Sequence, residues 1–192
     1  MAHAAPTGQA DRAAPAALVP PPDADDRRLL AALGELLSYP GERTARAIDT
    51  VECLQAFRGL AAATWSTADL EEAYTSTFDL QPACAPYLGH HLLGEDTGRR
   101  GPFLARLLDL YARDGFTPRE ELADHVAEVL RFLAVASPGA ERDDLVRDGL
   151  LPALGKMLDA LDDEANPYRE VLSSVRRAIA PAVDPVDARG RV

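Results

Sequence analysis

The side chains best equipped for chemistry lie close together along the chain: His90, His91 and Glu95, with Cys84 before them and Asp124-His125 after. His91 and Glu95, four residues apart, would share one face of a helix, a spacing that can hold a metal ion. Gly94 between them weakens such a helix, and the His-Glu-x-x-His order of zinc hydrolases is absent. The competing reading places one histidine at a polar core position and lets Glu95 cap or pair locally. A metal-dependent hydrolase using His90, His91 and Glu95 is therefore the alternative, and the expectation is no bound metal.

Other catalytic patterns find less support. Glu71-Glu72 and Glu120-Glu121 are adjacent pairs, so their carboxylates point to different sides of a helix and do not converge for acid–base work. Ser66, Ser76 and Ser137 lack a Gly-x-Ser-x-Gly setting, and no Gly-Lys-Ser or Gly-Lys-Thr phosphate loop occurs. Arg99-Arg100 is internal and no apolar segment follows, so it reads as a support for the turn before a helix, not as an export signal. Cys53 and Cys84 are too few for a disulfide framework or zinc site and are expected as buried thiols. The expectation is a protein without catalytic residues.

The elements that position these residues read as helices. Alanine and leucine dominate while only two isoleucines occur, which favours helix over strand. Leu29, Leu30, Leu33, Leu36 and Leu37 form a stripe that Tyr39-Pro40-Gly41 ends. A second helix is predicted from Arg43 to Ala62, burying Ile48, Val51, Leu54 and Phe57. Ser66 and Asp69 make a capping box for a third, with Leu70, Tyr74 and Phe78 on one face. Tyr87 to Leu93 forms a short helix, and Gly101-Pro102 opens one that carries Leu104, Leu107, Leu108 and Tyr111 to Gly115. Thr117-Pro118-Arg119-Glu120 predicts the next start, burying Leu122, Val126, Val129, Leu130 and Leu133. Helices over 141–161, with a break at Pro152, and 167–180, entered by Asn166-Pro167, complete an all-α single domain of about seven to nine helices. Residues 1–23, rich in Ala and Pro, read as a disordered tail, 24–180 as the helical domain and 181–192 as a frayed end.

Composition narrows the function classes. The formal net charge is −11, which argues against nucleic acid and favours a basic partner. No apolar run approaches the ~20 residues of a membrane span, and the start lacks the features of a signal peptide, so a reducing cytoplasm is expected. Between Ser66 and Leu130 twelve acidic residues face five arginines. That surplus is either ordinary solvated surface or an acidic, partly apolar groove for a cationic amphipathic peptide. Tyr74, Phe78, Leu107 and Tyr111 would edge such a groove or pack in the core.

The stretch from Glu72 to Leu133 also carries an ordered set of motifs: Tyr74, Phe78-Asp79, His91 near Gly94-Glu95, Arg100-Gly101 before a leucine-rich helix ending in Tyr111, then Glu121-Leu122 with Asp124-His125. Together with Leu36-Leu37-Ser38-Tyr39-Pro40 near the start, this resembles the NarJ branch of the TorD-like chaperones, across about residues 28–180. The resemblance implies an all-helical cytoplasmic chaperone that binds the apo catalytic subunit of a molybdoenzyme through its N-terminal leader peptide. It implies help with molybdenum cofactor insertion and complex assembly, with no cofactor held tightly by the chaperone itself. Ala123, where relatives often have proline, and Leu93, where they carry a second histidine, leave the client open. The clients that the resemblance implies are a respiratory nitrate reductase or a selenate, chlorate, dimethyl sulfide or hydrocarbon-oxidising relative. On this reading Asp79, Glu95 and Asp124 are acidic peptide contacts, Tyr74, Phe78 and Tyr111 shape the apolar floor, and Arg100 belongs to the same set. His91 and His125 would make binding respond to pH near neutrality. A monomer or weak dimer is expected, with no nucleic acid partner and no membrane insertion; a helical adaptor for an unrelated partner is the remaining alternative.

Overall fold

A computed structural model describes residues 22–51, 66–79, 82–94 and 97–180. Leu54 and Phe57 of the expected second helix, Cys53, Glu95 and the tails apart from Pro22 and Asp23 lie outside them. Among the described residues every extended element is helical and no strand forms. α1 (Ala24–Leu36) starts where the Asp23 carboxylate accepts the N–H groups of Asp25 and Asp26, both at 2.9 Å. It buries Leu30, Leu33 and Leu36. α2 (Glu42–Thr50) follows the Tyr39-Pro40-Gly41 turn, with Ile48 packed on the core and Val51 buried just beyond it. α3 (Thr67–Phe78) has the expected capping box, Ser66 and Asp69 each accepting the other's backbone N–H.

α4 (Leu88–Leu93) is the short helix expected before Gly94. α5 (Thr97–Arg113) corrects the Gly101-Pro102 start: the helix begins at Thr97 and Pro102 is its sixth residue. A proline there gives no N–H to the Gly98 carbonyl and sets its ring against that oxygen, so the helix forgoes one bond a turn after its start. Its C-terminus closes as predicted. Gly115 takes φ +68°, Phe116 N–H bonds Tyr111 O at 2.9 Å and Gly115 N–H bonds Ala112 O at 3.1 Å. The Phe116 ring then packs on Tyr111, with centroids 5.1 Å apart, the apolar contact that accompanies this kind of cap.

α6 (Val126–Val135) corrects the second expected start. Residues 116–125 are not helical, and Leu122 is 50% exposed instead of belonging to the buried stripe. Local capping by Thr117 and Glu120 loses to tertiary partners. Glu128 Oε1 accepts the N–H groups of Arg119 and Glu120 from the following helix. Further along, Leu88 N–H bonds Asp124 O and Val126 N–H bonds Pro86 O, both at 2.8 Å. Every residue from Val126 to Ala134 is buried, so α6 is the central helix and α1 packs along it. α7 (Ala140–Asp144) continues through a π-helical turn, Leu145–Leu150, into α8 (Leu151–Ala160). The turn stands just before Pro152, where the break was expected, and Leu151 N–H reaches back five residues to Val146 O. α9 (Pro167–Ile179) is entered by Asn166, whose side chain accepts Tyr168 N–H at 2.9 Å.

Candidate functional site

The motif residues meet where residues 86–88 run antiparallel to 124–126. Asp124 is wholly buried. Its Oδ2 accepts Gly89 N–H at 3.1 Å, and its Oδ1 receives Arg100 Nη2 at 3.3 Å. Only glycine fits at 89, since a Cβ there would stand 2.6 Å from Asp124 Oδ2. The Arg100 guanidinium also covers the Tyr87 ring at 5.1 Å, and Tyr87 O–H donates to Glu121 Oε2 at 3.0 Å. Burial first, then that carboxylate, pushes the Tyr87 hydroxyl up to about 12.

His125 caps α6. Its Nδ1 accepts Ala127 N–H at 3.2 Å, so the ring is neutral with its proton on Nε2, and its edge meets the Tyr87 ring 5.1 Å away. Burial first, then the Arg131 charge, against an opposing pull from Glu128, lowers its pKa to about 4. His91 is half-buried and donates Nε2–H to Ala85 O at 2.7 Å; burial again lowers its pKa, outweighing that bond. At both rings desolvation opposes the proton more strongly than any neighbour invites it, which runs against the expected charge switch near neutrality.

A charged layer lies beneath. Arg131 is buried and gives Nη2 to Glu128 Oε1 at 2.6 Å and Nη1 to Ser38 Oγ at 2.7 Å. Glu35 joins Arg119 at 2.9 Å and Arg43 at 3.0 Å, linking the 116–125 segment to α1 and α2. Burial works to raise the Glu128 carboxyl, but Arg131 and the Arg119 and Glu120 N–H groups outweigh it and hold it below its usual value. These bonds fix backbone that has neither a helix nor a ladder to satisfy it.

The remaining candidates divide by burial. Tyr74 and Phe78 are buried against Tyr168, with centroids at 5.9 and 4.9 Å. Tyr111 is fully buried, donates O–H to Ala123 O at 2.8 Å and packs on Phe132 at 4.4 Å. These three rings form core and line no open floor in this structure; their helical spacing is a core stripe. Asp79 is exposed at the end of α3 and Arg100 is half-buried. Cys84 is buried, as expected, and burial pushes its thiol up to about 12. Among the described residues no three His, Cys, Asp or Glu side chains gather as a metal site.

An open groove of about 380 Å³ lies beside this junction, between α5 and the α7–π segment. Leu92, Phe103, Leu107, Leu110 and Leu145 supply its apolar lining. Asp109, Glu141, Asp144 and Asp148 line it as well, against Arg106 and Arg113, four carboxylates to two guanidiniums. Phe103 belongs to both places, because it also packs at Gly89 beside Arg100. The Asp124 contacts to α4 and α5 thus brace one wall of the groove. Of the sequence candidates among the described residues, only Leu107 lines it. The acids of the far wall were readable as a spacing of three and four, Glu141, Asp144 and Asp148, but the signal was split from α5 by the loop and α6.

Residues 24–173 match the family described as nitrate reductase delta subunit. Among solved structures, the chain is similar to an Archaeoglobus fulgidus protein described as a candidate redox enzyme maturation protein. Identity is 22%, TM-score 0.59, with 79% of this chain and 91% of that one covered. At that identity the likeness shows a shared all-helical fold. No curated protein sequence matches the chain.

Proposed function

The chain belongs to the nitrate reductase delta subunit family, and from that premise we propose that it holds the apo catalytic subunit of a molybdenum enzyme by an N-terminal peptide until the cofactor is inserted. A protein of this family serves the maturation of a molybdenum-containing oxidoreductase and does not itself catalyse a reaction. The finer reading is a cytoplasmic monomer or weak dimer whose client is a respiratory nitrate reductase or a close relative. Residues 24–180 act as the binding unit, with 1–23 and 181–192 as appended tails.

The observation that supports peptide binding is the groove beside α5, which combines an apolar lining with surplus carboxylates. Such a surface suits a segment with apolar side chains on one face and basic ones at its edges. In this reading Asp79, His91 and Arg100, with Glu95, are the contacts from the motif region. Asp124, His125 and Tyr111 act from inside, holding α4 and α5 where the client meets them, while Tyr74 and Phe78 hold α3 against Tyr168 of α9. No helix among the described residues is long and apolar enough to cross a membrane.

Affinity purification of the tagged protein from cells producing a nitrate reductase catalytic subunit, with and without molybdenum cofactor synthesis, tests the reading. Retention of the apo subunit and release of the loaded one are expected. Equal retention of both, or of neither, would reject it.

A further inference from the structure

We propose that Arg113 is a built-in stand-in for a basic side chain of the client segment: it spans the groove to Glu141 and is displaced when a client arginine or lysine takes that carboxylate. The inference rests on the peptide-binding reading above and names how the groove selects and admits its occupant. Arg113, on the last turn of α5, pairs with Glu141 at the start of α7, so the contact joins the two walls at one end. Both side chains are more than half exposed, 61% and 59%, and an exposed pair of this kind contributes little to stability. It is therefore easily exchanged for a partner that also brings apolar side chains onto Leu107 and Leu145.

The rest of the wall fits the same occupant. Asp144 and Asp148 follow Glu141 at spacings of three and four residues, and Asp144 is already engaged by Arg147 at 3.3 Å. Asp148 lines the groove, and among the described residues no cation pairs with it. The α5 wall from Phe103 to Arg113 extends ~15 Å at 1.5 Å per residue, room for about three turns of a partner helix. The geometry points to a short amphipathic helix with one basic residue near Asp148 and a second, about two turns away, at Glu141. An uncharged apolar helix would gain the lining but leave the Arg113 contact closed.

The test is fluorescence anisotropy with a labelled synthetic helix of about 14 residues, carrying leucine at every third or fourth position and arginines two turns apart, and its glutamine-for-arginine counterpart. Arg113→Gln should bind the arginine probe about threefold to tenfold more tightly at low salt, because a competing cation is gone and a carboxylate is freed. Glu141→Gln and Asp148→Asn should weaken binding, and adding Glu141→Gln to Arg113→Gln should erase the gain. Arg46→Gln, an exposed change on α2 with the same change in net charge, should leave affinity within about twofold, which separates displacement from a general charge effect.

If Arg113→Gln weakens binding or matches Arg46→Gln, or if the glutamine probe binds equally well, the stand-in role is overturned while peptide binding stands. If no variant binds the probe, the inference also falls, and retention of the apo subunit by the same protein would show that the family function is intact. Self-association of Arg113→Gln by light scattering, without probe binding, would assign the groove to a second copy and equally overturn it.

Discussion

The burial of His125 predicts an acid lability that a single substitution should remove. The ring is neutral in the folded protein, its pKa lowered to about 4, whereas an unfolded histidine titrates near 6.5. Above the unfolded value neither state carries the proton and His125 adds no pH dependence. Below it the unfolded chain takes up a proton that the folded one refuses, so stability falls as pH drops and levels off near the folded value. Each pH unit in that window costs about 1.4 kcal/mol, which amounts to roughly 2 kcal/mol between pH ~7.5 and pH ~5. Arg131 and the Arg119 and Glu120 N–H groups hold the Glu128 carboxyl below its usual value, so its contribution is withdrawn only beneath that window.

The comparison is urea unfolding of wild type and His125→Asn at both pH values. Asparagine is a preferred N-cap and keeps an acceptor for Ala127 N–H, but does not titrate. The variant loses ring packing against Tyr87 at either pH, a cost that cancels in the difference. His91 and the exposed His90 contribute equally to both proteins and also cancel. Wild type should lose about 1 M more in urea midpoint than the variant on acidification, taking a slope near 2 kcal/mol per M. Parallel losses in the two proteins would refute a buried neutral His125, as would an imidazole proton resonance of His125 that titrates with a midpoint near 6.5.

Three further changes probe the same junction. Gly89→Ala should destabilise by about 2–3 kcal/mol, because the new methyl meets a carboxylate pinned from two sides; in an Asp124→Ala background the cost should fall below about 1 kcal/mol, a coupling read from a double-mutant cycle in urea. Glu128→Gln should cost about 2–3 kcal/mol, because Arg131 keeps Ser38 and Glu35 but loses its buried counter-charge; a thermal melt unchanged from wild type would contradict the assignment. Tyr111→Phe should cost about 1 kcal/mol by removing a buried hydrogen bond to Ala123 O, with amide exchange across 116–125 accelerating more than exchange in α9.

Apolar periodicity was enough to read α1, α3 and α9 from the sequence, because their caps (Asp23, Ser66, Asn166) and their buried stripes agree with one another. It failed where local and distant partners disagree. Thr117-Pro118-Arg119-Glu120 carries every local mark of a helix start, yet Glu128 takes the Arg119 and Glu120 N–H groups, and the Pro86–Leu88 backbone pairs with Asp124 O and Val126 N–H, which a helix would have bonded internally. The same mechanism misplaced the functional candidates. Asp124 and His125 read as peptide contacts in one dimension, and nothing local says that Gly89 and Arg100 will close over Asp124. The groove was invisible for a different reason: its two walls are separated in sequence by the 116–125 loop and all of α6.

The buried polar groups and the groove answer one physical problem from two sides. A loop as long as 116–125 has no ladder to satisfy its backbone, and in a helical fold it must either stay in water or borrow acceptors from side chains. Glu128 lends its carboxylate to Arg119 and Glu120 N–H, while Asp124 reaches out of the loop to Gly89 N–H, and the two charges are matched by Arg131 and Arg100. That matching has a directional result, because Arg100 sits on α5 and Gly89 on α4. Securing the loop therefore also fixes the angle between the two helices that share Phe103 and Leu92 with the groove. Weakening Asp124 should then reduce peptide affinity without touching the peptide, and the reduction should track the stability lost at the α4–α5 contact. A variant such as Asp148→Asn should act the other way round, losing affinity while its unfolding midpoint stays in place.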